Sequence, residues 1–537
     1  MRKRAGDFYD HFRSLVLQGK PAVYAFWGLL FTLAYSQAPL FTSNQNQYFL
    51  HGYARANYGF LAGDWLANTV DPAPVFSAIV FVLFTLLRHS EVFYAVFGLL
   101  AAGVLFSLAA ISRQVWHIPR TRQADFLLYT LLIAINSSAV RYLFLRAGGP
   151  DWNFLPDGGV ANQRLLGAVL QPSAFGVLLL ISISCFLGKR IRRAVVLLVL
   201  AAVIHPTYLL TAGVLTLIYA GLMFAETRSI KGALLIGAGA LAGVLPVLVN
   251  TLRIFVSSDR LANAQAHKIL VLKRIPHHAL ISHWMNATVP VKLAIVLAAV
   301  LLLVVNSRKH GFSFKEPAGK LLVILTGLLL SAVCLTAVVY FTESVSLSLI
   351  FPWRISTVLV PVSMTVIAGA GLVKALDKAS DWLAAHRRLV FRAGLLCVAL
   401  LAGAGLAKSV MNARQKYQAP EYRIYAYLRA AELPAQQVLT PLKMQDFRLA
   451  TGLPQYVDFK SIPYKDDEVI EWYRRYRFAQ AFYQTPKKNK ACPMLDDFAR
   501  EGITMAILPK GSPAAGCPQL NLIYQDEDYA IGALRGK

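Results

Sequence analysis

Long apolar stretches alternate with short polar connectors over the first three quarters of the chain. Most of these stretches approach the length of about 20 residues that a membrane-spanning helix needs. They lie at 22–41, 73–87, 92–112, 125–143, 165–187, 194–204, 207–224, 232–256, 291–305, 321–341, 353–373 and 389–407. The pattern predicts a mainly α-helical, polytopic transmembrane domain of about 11–13 spans over residues 22–410. A basic segment at 1–21 precedes it, and we expect that segment in the cytoplasm.

After the last apolar stretch the pattern becomes that of an ordinary soluble protein. Short apolar runs bounded by turn residues predict strands, and a charged and aromatic run with acidic residues in its first turn predicts a helix. The predicted strands are 437–440, 456–459, 503–508, 521–524 and 529–534, and the predicted helices are 466–483 and 494–500. Residues 416–537 are therefore expected to form a small soluble α/β domain.

Composition and charge support the membrane assignment. Hydrophobic residues make up 56% of the 537 residues and charged residues only 15%, against about 25% charged residues in soluble domains. The net charge of +26 lies largely in short connectors such as 188–193, as the positive-inside rule produces. This favours contact with anionic lipid over nucleic acid as a partner, with a basic groove for a lipid phosphate as the alternative.

The basic connectors also indicate orientation. Connectors 306–320 and 374–388 are basic and are expected in the cytoplasm of a bacterial cell, which puts the C-terminal domain outside the cytoplasmic membrane. The basic N-terminus is expected inside, so the two ends of the chain lie on opposite sides of the membrane and the number of crossings must be odd. Twelve apolar stretches are predicted, so one stretch between residues 73 and 143 is misassigned as a span. In an oxidising compartment Cys492 and Cys517 are expected to form a disulfide, with two unrelated thiols as the alternative.

Two long polar connectors, 42–71 and 257–290, are expected to face the outside. Loops of this length in compact domains are usually functional. The first contains 53–66, which is expected to form an interfacial helix that ends at the motif Gly63-Asp64-Trp65. The motif Asp71-Pro72-Ala73-Pro74 follows before the second apolar stretch.

This arrangement resembles the first external loop of GT-C-type membrane glycosyltransferases, which include the lipid A aminoarabinose transferases and the protein O-mannosyltransferases. The resemblance implies a polyprenyl-phosphate-linked sugar as donor and a loop carboxylate that acts on the acceptor or positions it. Gln171-Pro172-Ser173, His205-Pro206, Pro352-Trp353-Arg354 and the C-terminal tail further resemble an uncharacterised bacterial family of large membrane proteins.

The chain departs from the GT-C pattern at one place. The family's acidic residue usually stands near the start of this loop, where this chain has 44–47, an Asn-Gln-Asn-Gln run. An amide cannot accept a proton at neutral pH. Either Asp64 or Asp71 is then catalytic, or no base is needed from this position, or activity is absent. The structural alternatives are a helix-end residue bonded to backbone for Asp64 and a helix N-cap for Asp71.

Several polar residues beside apolar stretches are binding candidates, because such residues are costly there. Arginine suits bidentate phosphate binding, and the alternative for each arginine is to reach lipid headgroups. The candidates for the donor phosphate are Arg354, Arg164, Arg55 and His205, and those for the substrate loop are Asn46, Trp65, Asp151 and Asp157.

Four histidines in the second loop raise the question of a metal. The spacing of His267, His277, His278 and His283 fits no zinc signature. We therefore predict no metal site and no certain cofactor, with contact to lipid phosphates as the favoured role and a divalent cation as the alternative.

Together these features predict a membrane glycosyltransferase of cell-envelope polysaccharide biosynthesis. It would move a sugar from a polyprenyl phosphate to an unknown acceptor on the outer face of the membrane. The alternatives are a transporter or flippase of a lipid-linked glycan and a non-catalytic partner in envelope polysaccharide assembly.

Overall fold

The computed structural model describes residues 21–431 and 437–535, so the predicted cytoplasmic segment 1–21 lies outside the described residues except for Pro21. The chain divides into two compact units. The first, here the helical unit, comprises Met1–Gln37, Phe93–Leu248 and Pro276–Val410. The second, here the mixed unit, comprises Ala38–Val92, Val249–Ile275 and Met411–Lys537. The first long loop and about half of the second therefore lie in the same compact unit as the C-terminal tail. The domains predicted from sequence placed both loops in the transmembrane domain instead.

The helices of the described chain are numbered in chain order. They are α1 Pro21–Tyr35, α2 Gln45–Tyr48, α3 Leu50–Arg55, α4 Pro74–Leu87, α5 Val92–Trp116, α6 Arg122–Asn136, α7 Ser138–Gly148, α8 Val177–Leu187, α9 Ile191–Ile204, α10 Leu209–Thr227, α11 Ile230–Phe255, α12 Arg260–Ile269, α13 Pro276–Ala279, α14 Ile281–Trp284, α15 Thr288–His310, α16 Pro317–Thr342, α17 Val345–Ser348, α18 Ser356–Lys378, α19 Ser380–Ala385, α20 Arg387–Tyr417, α21 Pro420–Ala430, α22 Phe447–Thr451, α23 Asp466–Gln484 and α24 Lys488–Arg500.

Eight helical segments of the described chain are long and apolar enough to cross a membrane, and three shorter helices are also apolar. Every predicted apolar stretch contains a helix. The stretch predicted from residue 165 becomes helical only at Pro172, and α1 ends at Tyr35 rather than near residue 41. At His205-Pro206 the chain breaks into α9 and α10, because His205 is extended and begins a short 3₁₀ turn at Pro206.

The mixed unit contains a four-stranded sheet. Its strands are β1 Val438–Leu439, β2 Met505–Pro509, β3 Leu520–Gln525 and β4 Tyr529–Leu534. The strand order is β1-β2-β4-β3, with β1 parallel to β2 and the other pairs antiparallel. Its core contains α21 and α22 beside the sheet, through residues such as Tyr425 and Phe447. Cys492 and Cys517, the pair expected to be bonded, form a disulfide.

The strand predicted at 456–459 is wrong. This segment makes only an isolated bridge, at Gln455 to Val438. It then turns, because the Asp458 carboxylate accepts hydrogen bonds from the backbone N–H groups of Lys460 and Ser461. Tyr456 and Val457 are buried. The apolar residues of 456–459 are therefore explained by burial of a loop and not by a strand.

The single helix predicted at 53–66 is also wrong. Helix α3 ends at Arg55, because Asn57 and Gly59 both take positive φ values of 54° and 56°. Gly59 is required there, since a Cβ atom would lie 2.4 Å from the carbonyl oxygen of Gly452. Two 3₁₀ turns, Leu61–Gly63 and Leu66–Asn68, complete the loop.

Helix α4 is our candidate for the misassigned stretch, and its place in the mixed unit rather than its length sets it apart, because α9 also has 14 residues. Helix α4 has 14 residues, or about 21 Å at 1.5 Å per residue, against a hydrocarbon core of about 30 Å. It belongs to the mixed unit and packs on α3, where the Tyr53 and Phe84 rings stack at 4.5 Å. If α4 lies along the membrane surface, eleven of the twelve predicted apolar stretches remain as expected crossings. Each basic connector then falls on the cytoplasmic side.

This topology predicts that both ends of α4 face the same side of the membrane. Single cysteines replacing Ala62 and His89, in a chain whose Cys185, Cys334 and Cys397 are changed to serine, should both react with a membrane-impermeant maleimide added outside spheroplasts. Arg190→Cys, in a basic connector, is the control and should react only after permeabilisation. Labelling of His89→Cys only in permeabilised cells would show that α4 crosses.

Candidate functional site

A buried cluster of cations in the helical unit is organised by a tight loop of residues 157–164, here the 157–164 loop. The loop closes by a backbone bridge between Gly158 and Arg164. Ala161 and Asn162 have positive φ values of 55° and 53°. Non-glycine residues in this region store backbone strain that surrounding contacts must hold, and such residues cluster at functional sites.

Helices α15 and α18 hold the 157–164 loop in place. The Lys292 ammonium donates to the carbonyl oxygen of Gly159 at 2.8 Å, and the Ser356 hydroxyl accepts from the Val160 N–H at 2.7 Å. Gly159 leaves no room for a side chain, because a Cβ atom would lie 2.4 Å from the Ser356 hydroxyl oxygen. Lysine and arginine side chains from distant segments therefore converge on one turn.

Arg354 stands in a short 3₁₀ turn just before α18 and is buried, with a relative exposure of 6%. Its Nη1 donates to the Gln163 side-chain oxygen at 2.5 Å, and its guanidinium lies 4.6 Å from the centre of the Tyr208 ring. Its Nε and Nη2 have no hydrogen-bond partner among the described residues. Phe351, which precedes this turn, has a φ of 52°. A buried guanidinium with two unused donor atoms is poised for an anionic acceptor.

Asp157 is the carboxylate of the cluster. One oxygen accepts from the Tyr35 hydroxyl at 2.7 Å, and the other is buried without a hydrogen-bond partner in the described structure. Asp157 interacts electrostatically with Arg164, whose guanidinium stacks 3.8 Å from the centre of the Phe154 ring. Burial lowers the pKa of Arg164, and Tyr35 and Asp157 oppose that shift.

Arg141 completes the cluster from α7. Its guanidinium lies 4.1 Å from the centre of the Tyr35 ring and donates to the Tyr35 carbonyl oxygen. Four cationic side chains (Arg141, Arg164, Lys292 and Arg354) thus lie on or beside the 157–164 loop. Two carboxylates, Asp157 and the exposed Asp151, interact electrostatically with Lys292. Burying charges without matching partners is costly, so the excess of positive charge indicates a site for an anion.

The candidates for the donor phosphate divide between the two units. Arg354 and Arg164 lie in the cluster of the helical unit, and His205 is buried at the end of α9 with its ring edge-on to Tyr208. Arg55 lies in the mixed unit, where it pairs with Asp71 at 3.3 Å. Asp151 is exposed in a 3₁₀ turn after α7.

Arg141 and Lys292 were not among the predicted site residues. Lys292 offers a usable signal, because it is a single charge in the first turns of a very apolar helix. Such a charge within a span is a functional candidate by default. Tyr35 has no comparable signal, because tyrosine is common near the ends of spans. His278 also joins the 157–164 loop, since its ring contacts the Ala161 carbonyl oxygen at 2.8 Å.

Asp64, in the mixed unit, is fully buried and engaged through both carboxylate oxygens. One oxygen accepts from the backbone N–H groups of Leu66 and Ala67, and the other from Arg448 Nε at 2.7 Å and the Gln455 N–H at 2.9 Å. Arg448 also pairs with the buried carboxylate of Asp458. This geometry favours the helix-end alternative for Asp64 over proton transfer.

The charges around Arg448 are strongly coupled. Burial disfavours the charge of Arg448, but Asp64 and Asp458 outweigh that effect and hold the pKa of its guanidinium above the ordinary value. Burial raises the pKa of Asp458, against the opposing influence of Arg448. Asp71, by contrast, accepts from the Ala73 N–H at 2.9 Å beside the start of α4, and its partner Arg55 is half exposed. Trp65 lies under the Arg475 guanidinium at 4.3 Å.

These contacts predict different costs for the two aspartates. Asp64→Asn removes one charge from a buried network and should destabilise the mixed unit by about 3 kcal/mol, whereas Asp71→Asn should cost less than about 1 kcal/mol. Thermal unfolding and limited proteolysis of the purified chain measure the difference. An Asp64→Asn protein with normal stability and lost activity would instead support the catalytic role.

Part of the C-terminal tail matches a protein family, and the whole fold is similar to solved structures. A family model described as "Domain of unknown function (DUF6798)" matches residues 419–479, within the mixed unit. No curated protein matches the chain. The chain is similar to the crystal structure of ArnT from Cupriavidus metallidurans bound to undecaprenyl phosphate, at 12% identity and a TM-score of 0.48 over 95% of this chain and 96% of that one.

A second similar structure is the oligosaccharyltransferase of Archaeoglobus fulgidus in complex with zinc and sulfate. The identity is 13% and the TM-score 0.44, over 91% of this chain and 68% of that one. At these identities and TM-scores the likeness is one of fold alone.

Proposed function

We propose that the chain is a membrane glycosyltransferase that moves a sugar from a polyprenyl-phosphate donor to an acceptor on the outer face of the bacterial cytoplasmic membrane. The observation that carries the proposal is the buried guanidinium of Arg354, which has two donor atoms without a hydrogen-bond partner among the described residues and contacts Gln163 of the 157–164 loop. A phosphate that departs from a sugar is an anion that such a cluster would stabilise.

In the proposed reaction Arg354 and Arg164 bind the phosphate of the donor. As the bond between the sugar carbon and the phosphate oxygen breaks, negative charge grows on that oxygen, and the fixed cations stabilise it without reorganisation. Lys292 and Ser356 hold the 157–164 loop, so they position Arg164 and Asp157 rather than act on the substrate. The polyprenyl chain would occupy lipid beside the helical unit.

Asp157 is the residue we assign as general base. Its second oxygen is buried and has no hydrogen-bond partner among the described residues. In the proposed reaction this oxygen takes the proton of the acceptor hydroxyl while the acceptor oxygen forms its bond to the sugar carbon. Tyr35 holds the other oxygen and thereby fixes the direction of the carboxylate. This proposal departs from the sequence-based choice of Asp64 or Asp71 and needs no acid at 44–47. Both oxygens of Asp64 are engaged, and Asp71 accepts from the Ala73 N–H and pairs with Arg55.

The alternative function is binding of a lipid phosphate at the same site without glycosyl transfer. A flippase or a non-catalytic partner in polysaccharide assembly would use the same cations for a lipid phosphate and would need no base. The amide run at 44–47 and the engaged carboxylate of Asp64 keep this alternative open. The role of Asp157 separates the two functions.

Binding of undecaprenyl phosphate should depend on Arg354. Arg354→Gln in nanodiscs should weaken that binding by about tenfold to a hundredfold, because hydrogen bonds to charged groups contribute about 1.5–3 kcal/mol. Native mass spectrometry with titrated lipid measures the affinity. Arg146→Gln, at an exposed arginine at the end of α7, is the matched control and should bind normally. Equal binding of undecaprenol, which lacks the phosphate, would contradict the proposal.

Transfer should depend on Asp157 while lipid binding does not. Asp157→Asn should lower transfer by about a hundredfold or more and leave the affinity for undecaprenyl phosphate within a few-fold. Mass spectrometry of envelope glycans compares a deletion strain complemented with the wild type, with Asp157→Asn or with the control Asp381→Asn, at an exposed aspartate of α19. A glycan restored in full by Asp157→Asn would exclude Asp157 as the base and favour transport or assembly.

A further inference from the structure

Helix α20 brings a further cation, Lys408, to the cluster beside the 157–164 loop. Lys408 is half-buried in one of the long apolar helices. It interacts electrostatically with Arg141, and no carboxylate of the described chain acts on it. An ionisable residue within an apolar span is costly and is a functional candidate by default.

The packing of α20 on α1 places Lys408 at the end of α1. Gly405 allows the two helices to approach closely, because a Cβ atom at this position would overlap the carbonyl oxygen of Leu33. One turn further on, the Ser409 hydroxyl lies 2.9 Å from the Ser36 hydroxyl. Residues three and four apart share one face of a helix, so Lys408 lies on the side of α20 that packs on α1.

Contact with lipid headgroups is the competing role for Lys408, because lysines near the ends of spans often extend towards them. The exposed side of this turn carries Leu406 and Val410, whereas Lys408 is half-buried and meets the charge of Arg141. Lys408 is therefore placed for a role in the site rather than on the surface that faces lipid.

Arg141 and Tyr35 connect Lys408 to the proposed general base. The Arg141 guanidinium lies 4.1 Å from the centre of the Tyr35 ring, and the Tyr35 hydroxyl donates to Asp157 at 2.7 Å. Arg354, which we assign to the donor phosphate, contacts the 157–164 loop through a different side chain. Lys408 is thus linked to the residue that acts on the acceptor.

The backbone at the end of α1 is strained and fixed. Ser36 is buried and has a φ of 71°, which non-glycine residues seldom adopt. The Ser409 hydroxyl contacts the Ser36 hydroxyl and accepts from the Gln37 N–H at 3.2 Å. Strain of this kind persists where surrounding contacts hold it, and it concentrates at binding sites. Helix α20 therefore fixes the segment that carries Tyr35.

The charges around the loop call for more than one anion. With Lys408, five cations of the described chain stand against the carboxylates Asp157 and Asp151, an excess of three positive charges. A sugar joined to polyprenyl phosphate is a phosphodiester, which carries a single negative charge because only one of its oxygens ionises. The donor therefore leaves positive charge unmatched, which is costly in a buried setting. An acceptor that carries an anionic group supplies the missing charge.

We infer that Lys408 binds a carboxylate or phosphate group of an anionic saccharide acceptor, with Arg141 adding its positive field to the same subsite. Arg141 is 2% exposed, so it acts through its charge and not through a direct hydrogen bond to the ligand. The inference rests on the proposed function for the role of acceptor, and the binding of an anionic saccharide can be measured whether or not transfer occurs.

The test uses the full chain in biotinylated phosphatidylcholine nanodiscs on an array of acidic and neutral bacterial oligosaccharides, followed by titration with the best-binding glycan. Acidic oligosaccharides, which carry uronate or phosphate groups, should bind more tightly than neutral ones of the same size. Lys408→Gln should lower the affinity for acidic oligosaccharides by about tenfold or more, because a charge-assisted hydrogen bond is lost. Lys408→Arg should restore most of that affinity. Binding of undecaprenyl phosphate should stay within a few-fold in both variants.

Arg414→Gln is the matched control. Arg414 is an exposed cation further along the same helix, so this variant should keep its affinity for acidic oligosaccharides. Lys408→Gln should keep a normal melting temperature, because it removes a charge that has no carboxylate partner in the described chain. A purely structural role for Lys408 would instead lower the melting temperature and weaken the binding of acidic and neutral oligosaccharides alike.

Three results would overturn the inference. They are no preference of the wild type for acidic oligosaccharides, unchanged acidic binding by Lys408→Gln, and a loss of undecaprenyl phosphate affinity equal to the loss of acidic binding. The last result would assign Lys408 to the donor phosphate. An effect of Lys408→Gln seen only in nanodiscs that contain phosphatidylglycerol would assign it to lipid headgroups and would equally refute the subsite.

The proposed function is judged on a separate measurement. If envelope glycans prove independent of Asp157 while acidic oligosaccharides still bind through Lys408, transfer fails and the anion subsite stands. If transfer depends on Asp157 and Lys408→Gln leaves acidic binding unchanged, the opposite holds.

Discussion

The ion pairs of Arg448 with Asp64 and Asp458 are the constraint on which the mixed unit depends. All three side chains are fully buried or nearly so, so each charge has left water at a cost of several kcal/mol. That cost is offset only if the hydrogen-bonding groups of the three side chains find partners. Here each of the three side chains makes several hydrogen bonds. Arg448 also donates to the side chain and the carbonyl oxygen of Gln455, and Asp64 accepts from the Gln455 N–H.

This network joins parts of the chain that are almost 400 residues apart. It fixes the 3₁₀ turns after α3 against the tail, and the backbone contact of Phe60 with Gly452 at 2.7 Å extends the same junction. Val70 adds a further link through its N–H to the Glu468 carboxylate. A loop anchored in this way can hold the buried Asn46 in one position.

In the helical unit the buried charges are not balanced as they are around Arg448. In the mixed unit the Arg448 charge is matched by two carboxylates. Around the 157–164 loop the cations Arg141, Arg164, Lys292 and Arg354 outnumber the carboxylates Asp157 and Asp151. Unmatched charge in a buried setting raises the free energy of the empty protein and is recovered when an anion binds. The strained residues Ala161, Asn162 and Phe351 lie at the same place. Strain and unmatched charge together distinguish a binding site from an ordinary structural network.

The sequence predicted the features that depend on local pattern. Apolar runs long enough for spans, the break at His205-Pro206, helix α23 and strand β4 follow from periodicity and from the chemistry of proline. Arg354 and Arg164 could be selected because arginine at the end of an apolar run is costly. The prediction of a helix over 53–66 was wrong because Gly59 meets Gly452, a contact made with a distant segment. The strand at 456–459 was wrong because burial of Tyr456 and Val457 imitates the pattern of a strand.

The sequence by itself determined that this is a multi-span membrane protein with a small α/β tail, since hydrophobicity and charge act at each residue independently of the fold. Only the tertiary structure decided which carboxylate keeps an oxygen without a hydrogen-bond partner. Asp64, Asp71 and Asp157 are alike in the sequence. Contacts with distant residues engage both oxygens of Asp64 and leave one oxygen of Asp157 without a partner. Whether a carboxylate oxygen has a hydrogen-bond partner depends on the residues that lie beside it in space. Residue type and local sequence pattern do not show which residues those are.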